Sequence, residues 1–166
     1  MEKFQEARDT AKRYLSVAEH IVYVTFPLIK ENRLLPSIVE NIFLSLSNGI
    51  NAVLYYDLLF KNIRPFSDDF TSRASAFRES MKIHRIEGEY LALANKIWNI
   101  ILLRKKSPIV ISKGDSFVIC DEKYRTEVVS MTDIKEYLSK TKIFIAKVSL
   151  ILSENEGIFT GCKRRA

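Results

Sequence analysis

The sequence predicts a mostly α-helical domain of about five helices, with a small antiparallel β-meander at about residues 108–130, before the last helix. Apolar residues recur at helical spacing along most of the 166 residues, whereas SPIVISKGDSFVICDEKYRTEVVS is rich in β-branched and turn residues. Only five Gly and four Pro occur, which argues against a loop-rich all-β fold. We predict one domain over 1–153 and a basic, flexible C-terminal tail over 154–166.

The first two helices carry most of the predicted core. An apolar stripe at steps of three and four residues predicts the first helix over 2–29. Pro27 is expected to kink this helix or to end it one turn early. The second helix is predicted over about 36–63, and its apolar residues cover more than half of its circumference, as in a bundle centre or a subunit interface. We predict the interface residues of this helix to be Phe43, Leu46 and Ile50.

Polar residues mark the start of the third helix. Asp68 and Asp69 are residue types that cap a helix N-terminus, and they predict a helix over about 70–83. We interpret these paired carboxylates as capping residues rather than cation ligands, because no further acid stands at metal-ligand spacing. A fourth helix is predicted over about 87–106 and a last one over about 132–152.

The predicted β-meander follows the fourth helix. Two β-branched segments flank the Gly-containing turn SKGDS, and a third short strand is predicted over 126–130. Ile109, Ile111, Phe117 and Ile119 are predicted to share one apolar face, and Val110, Val118 and Cys120 the other. Because an isolated two-stranded ribbon is marginally stable in water, one face is expected to lie on the bundle. The other is predicted to meet a second chain, with Val110 and Val118 as interface residues.

Composition and charge limit the classes of function. The chain has a formal net charge of +6 and a pI of about 9.3, which favours polyanions by long-range attraction. Nucleic acid, an acidic protein partner or no partner at all are compatible with this charge. Cys120 and Cys162 lack metal-ligand spacing, so we predict no metal site, no cofactor and a reduced, cytoplasmic setting. The longest uncharged run, 41–56, is interrupted by polar residues, so no membrane span is predicted.

Cations cluster around the predicted sheet. The candidate anion-binding or nucleic-acid-binding residues are Arg104, Lys105, Lys106, Lys113, Lys123 and Arg125. If the sheet folds back on the fourth helix, these side chains are expected to share one rim suited to phosphate. The alternative interpretation is structural, because Lys and Arg favour helix C-termini and exposed turns.

One histidine invites comparison with a catalytic motif. In RESMKIH, Arg78 stands six residues before His84. The pattern Arg-x(4–6)-His is the signature of the HEPN family of helical-bundle ribonucleases and nucleotide-binding proteins, which this small, basic, helical chain resembles. The resemblance implies that Arg78 and His84 converge on RNA phosphate and sugar at a dimer interface. The chain departs from the family pattern because no polar Asn, Asp or His follows Arg78.

Asp57 stands inside the apolar second helix, directly after two tyrosines. A buried acid in such a helix marks a functional site in some proteins. The alternative is an acid that faces solvent or pairs with a Lys.

The layout also resembles a family of small archaeal proteins with no established activity. The resemblance lies in LLPSIVENIFLSLSNGINAVLYYDLLFKNIRPF, in FRESMKI and in KKSPIVISKGDSFVICDEKYRTEVVSMTDIKEYLSKTKIFI, about two thirds of the chain. It implies the order of helices, hairpin and last helix, and no mechanism. From the surplus apolar surface and the lack of catalytic groups we predict a non-enzymatic interaction or assembly protein that forms a homodimer. The alternative is a nucleic-acid-binding protein, in one form a HEPN-like ribonuclease.

Overall fold

The computed structural model of the chain describes residues 1–107 and 109–156. Most of the predicted basic tail, with Lys163, Arg164 and Arg165, lies outside this part. The elements in chain order are α1 (Lys3–His20), a π-helical turn (Ile21–Thr25), α2 (Phe26–Ile29), α3 (Leu34–Leu59), α4 (Phe70–His84), α5 (Glu89–Lys106), β1 (Ile109–Lys113), β2 (Ser116–Cys120), β3 (Thr126–Ser130) and α6 (Met131–Ser153). A mostly helical bundle with a three-stranded antiparallel meander before the last helix is therefore confirmed.

Helical backbone continues past Pro27 to Ile29, with a π-helical turn placed just before the proline. Proline lacks an N–H and its ring clashes with the carbonyl one turn earlier in a regular α-helix. A π turn widens the helix at that point and accommodates both effects. Lys30 then ends the helix in the left-handed conformation, with φ of 53°.

The helix α3 is the centre of the bundle and packs against α1, α4, α5, α6 and the sheet. Its length and composition would allow it to cross a membrane, but 67% of its apolar 18-residue stretch is buried inside the protein. Phe43, Leu46 and Ile50 lie in this core. Our interface prediction for these three residues is corrected, because they contact their own chain and present no surface to a partner.

Side-chain caps fix the start of α4 and of α6. The Asp69 carboxylate accepts from the Ser72 amide at 2.9 Å, so the predicted capping role is confirmed for this residue. At the start of α6, Ser130 and Asp133 form a reciprocal capping box, in which the Ser130 hydroxyl accepts from the Asp133 amide and the Asp133 carboxylate accepts from the Ser130 amide. The box joins the end of β3 directly to α6 without a loop.

We expect Ser130→Ala to lower the free energy of unfolding by about 1 kcal/mol, the usual cost of losing an N-cap side chain. The Ser130 amide and hydroxyl hold the pKa of Asp133 below its ordinary value of 3.8. A lowered folded-state pKa stabilises the protein above the unfolded-state value, and this contribution is lost as the pH falls through the folded-state value. Urea unfolding of both proteins at pH 7 and pH 3 checks this. A difference that grows on acidification would contradict it.

The register of the sheet corrects the predicted faces of the hairpin. A two-residue turn, Gly114–Asp115, pairs Ile111 with Val118 and Val118 with Val128, so these three share the outer face. Phe117, Ile119 and Val129 are buried on the inner face, against the bundle. Our assignment of odd-numbered residues of both strands to one face was wrong, because a two-residue turn places odd residues of one strand opposite even residues of the other. Val118 therefore lies on the outer face and Val110 on the inner one.

Candidate functional site

The two edges of the sheet have different surroundings. The strand order is β1-β2-β3, so β1 and β3 are the edge strands within the described residues. Side chains of α5, with Asn99 and Leu103 among them, line grooves against Thr126 and Glu127 of β3. On β1, by contrast, residues 110–113 are all exposed to solvent. The β3 side of the sheet therefore faces α5 across these grooves, whereas the β1 edge is exposed to solvent.

The free backbone groups of the open edge can be assigned. The Met131 amide donates to the Asp115 carbonyl at 2.8 Å, which places the odd residues of β2 in hydrogen-bonded pairs with β3. The even residues of β2 must then bond to β1, and Val118 is the partner of Ile111. By the same alternation, the N–H and C=O groups of Val110 and Ser112 point away from the sheet. Among the residues that the structure describes, no strand pairs with these four groups, and they form a vacant pairing edge.

The outer face beside this edge is apolar. Ile111 and Val128 are each 55% exposed, and Val118 lies partly exposed between them. Val110, on the inner face, is also exposed because no strand flanks β1. The open edge and the outer face are hereafter called the β1 surface, defined by Val110, Ile111, Ser112, Val118 and Val128.

Of the six predicted cations, three share a rim. Lys106, Lys123 and Arg125 line a groove of about 400 Å³ between the end of α5 and the β2–β3 turn. Lys113 lies at the opposite end of the sheet, beside the β1–β2 turn. Lys105 is exposed but does not line this groove. Arg104 instead forms an ion pair with Glu40 of α3, at 2.7 Å.

Acidic side chains neutralise much of this rim. Asp121 accepts from the Arg125 amide at 2.8 Å and from its guanidinium at 2.7 Å. The Arg125 amide, more than any other group, holds the pKa of Asp121 below its ordinary value. Glu122 lines the same groove, and Glu127 lines the adjoining one. The charge available to a phosphate is therefore smaller than the sequence suggests.

His84 contacts a buried acid. Its Nε2 lies 2.7 Å from Asp57 Oδ1, within hydrogen-bond distance, and the Asp57 side chain is 0% exposed against 14% for His84. Asn62 Nδ2 donates to the same oxygen at 3.3 Å, whereas Asp57 Oδ2 has no partner in the described part of the chain. Our alternative interpretation, in which Asp57 faces solvent or pairs with a Lys, is therefore wrong, because the side chain is buried and contacts His84. The histidine holds α4 against α3 by a polar pair inside the bundle.

Arg78 faces a different direction from His84. It lines a groove between α4 and α5 together with Met81 and Lys82, whereas His84 is directed at Asp57 of α3. Six residues along an α-helix separate two side chains by roughly 120° around the axis and about 9 Å along it. Within one chain, the predicted catalytic pair is thus not brought together. Among residues 1–107 and 109–156, no group of three or more His, Cys, Asp or Glu is placed to hold a metal ion.

Two features of the site were missed in the sequence. The His84–Asp57 pair joins residues 27 positions apart on two helices, and no local pattern marks such a contact. The vacant pairing edge depends on how the strands are arranged against the bundle, which is a tertiary property. The turn in SKGDS was the available signal for the strand faces. Gly114, with φ of 59°, fits the first central position of a two-residue turn, and a turn of that length determines which residues of the two strands share a face.

Comparison of the chain with models of protein families, with curated proteins and with solved structures finds no match. The resemblances to HEPN proteins and to the archaeal family therefore stay predictions.

Proposed function

We propose that this protein is a non-enzymatic assembly protein that forms a homodimer by joining two copies of the β1 surface. The observation that carries the proposal is the vacant edge of β1, whose outward N–H and C=O groups belong to Val110 and Ser112. Unpaired strand edges in folded proteins are usually covered or interrupted by charge or proline. Here the groups at the centre of the edge are flanked by exposed Val and Ile side chains.

A two-fold axis at Ile111 pairs the β1 strands of two copies in antiparallel fashion. In this pairing all of the outward N–H and C=O groups of Val110 and Ser112 are bonded. Val110 of each copy then lies opposite Ser112 of the other, and each such pair exchanges two backbone hydrogen bonds. The two Ile111 side chains meet across the axis on the outer face. They extend the apolar strip of Ile111, Val118 and Val128 from one copy into the next. The result is an antiparallel sheet of six strands with self-complementary contacts, as a two-fold interface requires.

A short strand and one apolar strip form a small interface, so the dimer is expected to be reversible. Interfaces below the standard size are typical of transient association. We expect a dissociation constant on the order of 10 μM, which corresponds to roughly −7 kcal/mol. Analytical ultracentrifugation from 1 to 200 μM should show the mass rise from the monomer's 19.2 kDa towards twice that value.

Ser112→Pro is expected to abolish the dimer while preserving the monomer. Proline at this position removes an N–H that points away from β2, so no ladder bond of the monomer is lost. The preceding Ile111 is already extended, as the residue before a proline prefers. Ser112→Ala keeps the N–H and is the matched control, for which we expect the mass distribution of the parent. Dimer formation by the proline variant would refute the edge pairing.

A charge on the outer face tests the same surface through its side chains. Ile111→Lys places two ammonium groups together at the two-fold axis and is expected to weaken the dimer at least tenfold. Ile143→Lys on α6 is the control, because Ile143 is 50% exposed, close to the 55% of Ile111, and lies outside the sheet. Equal effects of the two substitutions would indicate a general change in solubility instead of a specific interface.

Nucleic-acid binding has weaker support. Arg104 and Arg125, two of the six predicted cations, have carboxylate partners, and Lys113 lies at the far end of the sheet from the others. Binding that depends on phosphate contacts weakens steeply as salt is raised. Lys105→Ala with Lys106→Ala tests this alternative by the loss of salt-sensitive RNA binding.

A further inference from the structure

A second surface, separate from the sheet, lies between α4 and α5. Both helices pack on α3 and make few contacts with each other, so a groove of about 520 Å³ runs between them and is open to solvent. Met81, Ile86 and Leu91 give the groove an apolar lining. Ile86 and Leu91 are buried in the core, and Met81 is half-buried, so the floor is fixed by the bundle.

Cations line this groove without acidic partners. Arg78 and Lys82 lie one turn apart on α4, both are exposed, and neither has an ion pair in the part of the chain that the structure describes. No Asp or Glu is among the groove's lining residues. Ion pairs elsewhere are common: the arginines with carboxylate partners are Arg8, Arg33, Arg73, Arg104 and Arg125. The positive charge at the groove is therefore available for a partner.

We propose that this groove binds an acidic amphipathic helix of a partner protein. A groove between two helices with an apolar floor accepts the apolar face of a third helix. Carboxylates one turn apart on the incoming helix match the spacing of Arg78 and Lys82 on α4. The cations select an acidic partner and orient it, and half-buried Met81, exposed Ala92 and the methylene stems of the two cations offer it apolar contact.

The lining of the groove favours a protein helix over nucleic acid. Single-stranded nucleic acid is held by several cations together with aromatic side chains on which bases stack. This groove has two lining cations and no aromatic residue among those that line it. A small amphiphile is also a poor match, since small-molecule sites enclose most of their ligand, whereas this groove is open along its length.

Fluorescence anisotropy with a designed probe tests the proposal. The probe is a labelled 20-residue helix with Leu on one face and Glu pairs at i and i+4 beside it. We expect micromolar binding, and at least tenfold weaker binding by Arg78→Glu with Lys82→Glu. A second variant, Ala92→Glu, places an acid at an exposed position in the groove and is also expected to weaken binding at least tenfold.

Matched controls separate groove binding from general charge attraction. Lys12→Glu with Arg64→Glu changes the net charge equally at two exposed positions outside the groove and should retain binding within twofold. A scrambled peptide of the same composition should bind at least tenfold more weakly than the probe. Unfolding curves show whether each variant is folded. Undiminished probe binding by Ala92→Glu or by the double variant, or tighter binding of single-stranded RNA or anionic vesicles than of the probe, would overturn the proposal.

Discussion

His84→Ala is expected to lower the free energy of unfolding by about 1–3 kcal/mol, the usual cost of leaving a buried polar atom without its hydrogen-bond partner. His84 Nε2 lies 2.7 Å from an Asp57 oxygen, and the acid is fully buried. Within residues 1–107 and 109–156, its other oxygen has no partner, and without the imidazole the side chain of Asp57 keeps the amide of Asn62, at 3.3 Å. Because single domains are stabilised by about 5–15 kcal/mol in total, a loss of this size is a measurable share of the whole.

Urea unfolding followed by circular dichroism at pH 7 measures the effect. His20→Ala is the control, because His20 is exposed on α1, and its replacement should change the stability by less than about 0.5 kcal/mol. Adding Asp57→Asn to His84→Ala should recover part of the loss, because the amide keeps a similar shape and can donate as well as accept hydrogen bonds. A loss below about 1 kcal/mol in His84→Ala would show that the pair adds little.

Gly49→Val is expected to cost about 2–3 kcal/mol through overpacking between α3 and α6. A Cβ atom at Gly49 would lie 2.7 Å from Ile145 Cδ1 and 2.8 Å from Phe144 Cε1. The Phe144 ring cannot easily move, since it stacks on Tyr90 at 5.2 Å and meets Phe77 edge-on at 6.1 Å. A fall in Tm of roughly 4–12 °C is the expected result.

The matched control is Gly88→Ser at the N-cap of α5. A Cβ atom there would meet nothing within 4 Å, and φ of −68° suits any residue. Serine is at least as good an N-cap as glycine, so the Tm should stay the same or rise slightly. If Gly49→Val kept the Tm of the parent, the close approach of the two helices would not be a constraint on this position.

Local patterns predicted the elements well where capping residues and apolar spacing agree. Asp69 is the N-cap of α4, so the predicted start of this helix is correct, and the order of helices and strands along the chain is confirmed. The second helix was predicted to reach residue 63, whereas α3 ends at Leu59. Lys61 takes the left-handed conformation after it, with φ of 57°. No glycine marks this exit, so the sequence has no signal for it.

The candidate surfaces were predicted less completely, because they depend on how helices are arranged around α3. Apolar residues over most of a helix suit a bundle centre as well as an interface, and only the packing of the other helices decides between them. Phe43 and Leu46 were predicted as interface residues from this pattern, but the packing places them in the core. Arg78 was singled out for its spacing from His84, but its surroundings in the α4–α5 groove follow from α5, which no local motif describes.

The capping box at the end of β3 has a consequence for how far the proposed self-association can go. A sheet with two vacant edges can add copy after copy and grow into a fibre. In the proposed dimer both β1 margins are consumed, and the outer margins are the two β3 strands, whose Ser130 amide is already bonded to Asp133. We therefore expect the association to saturate at a stoichiometry of two as the concentration is raised, without polymer.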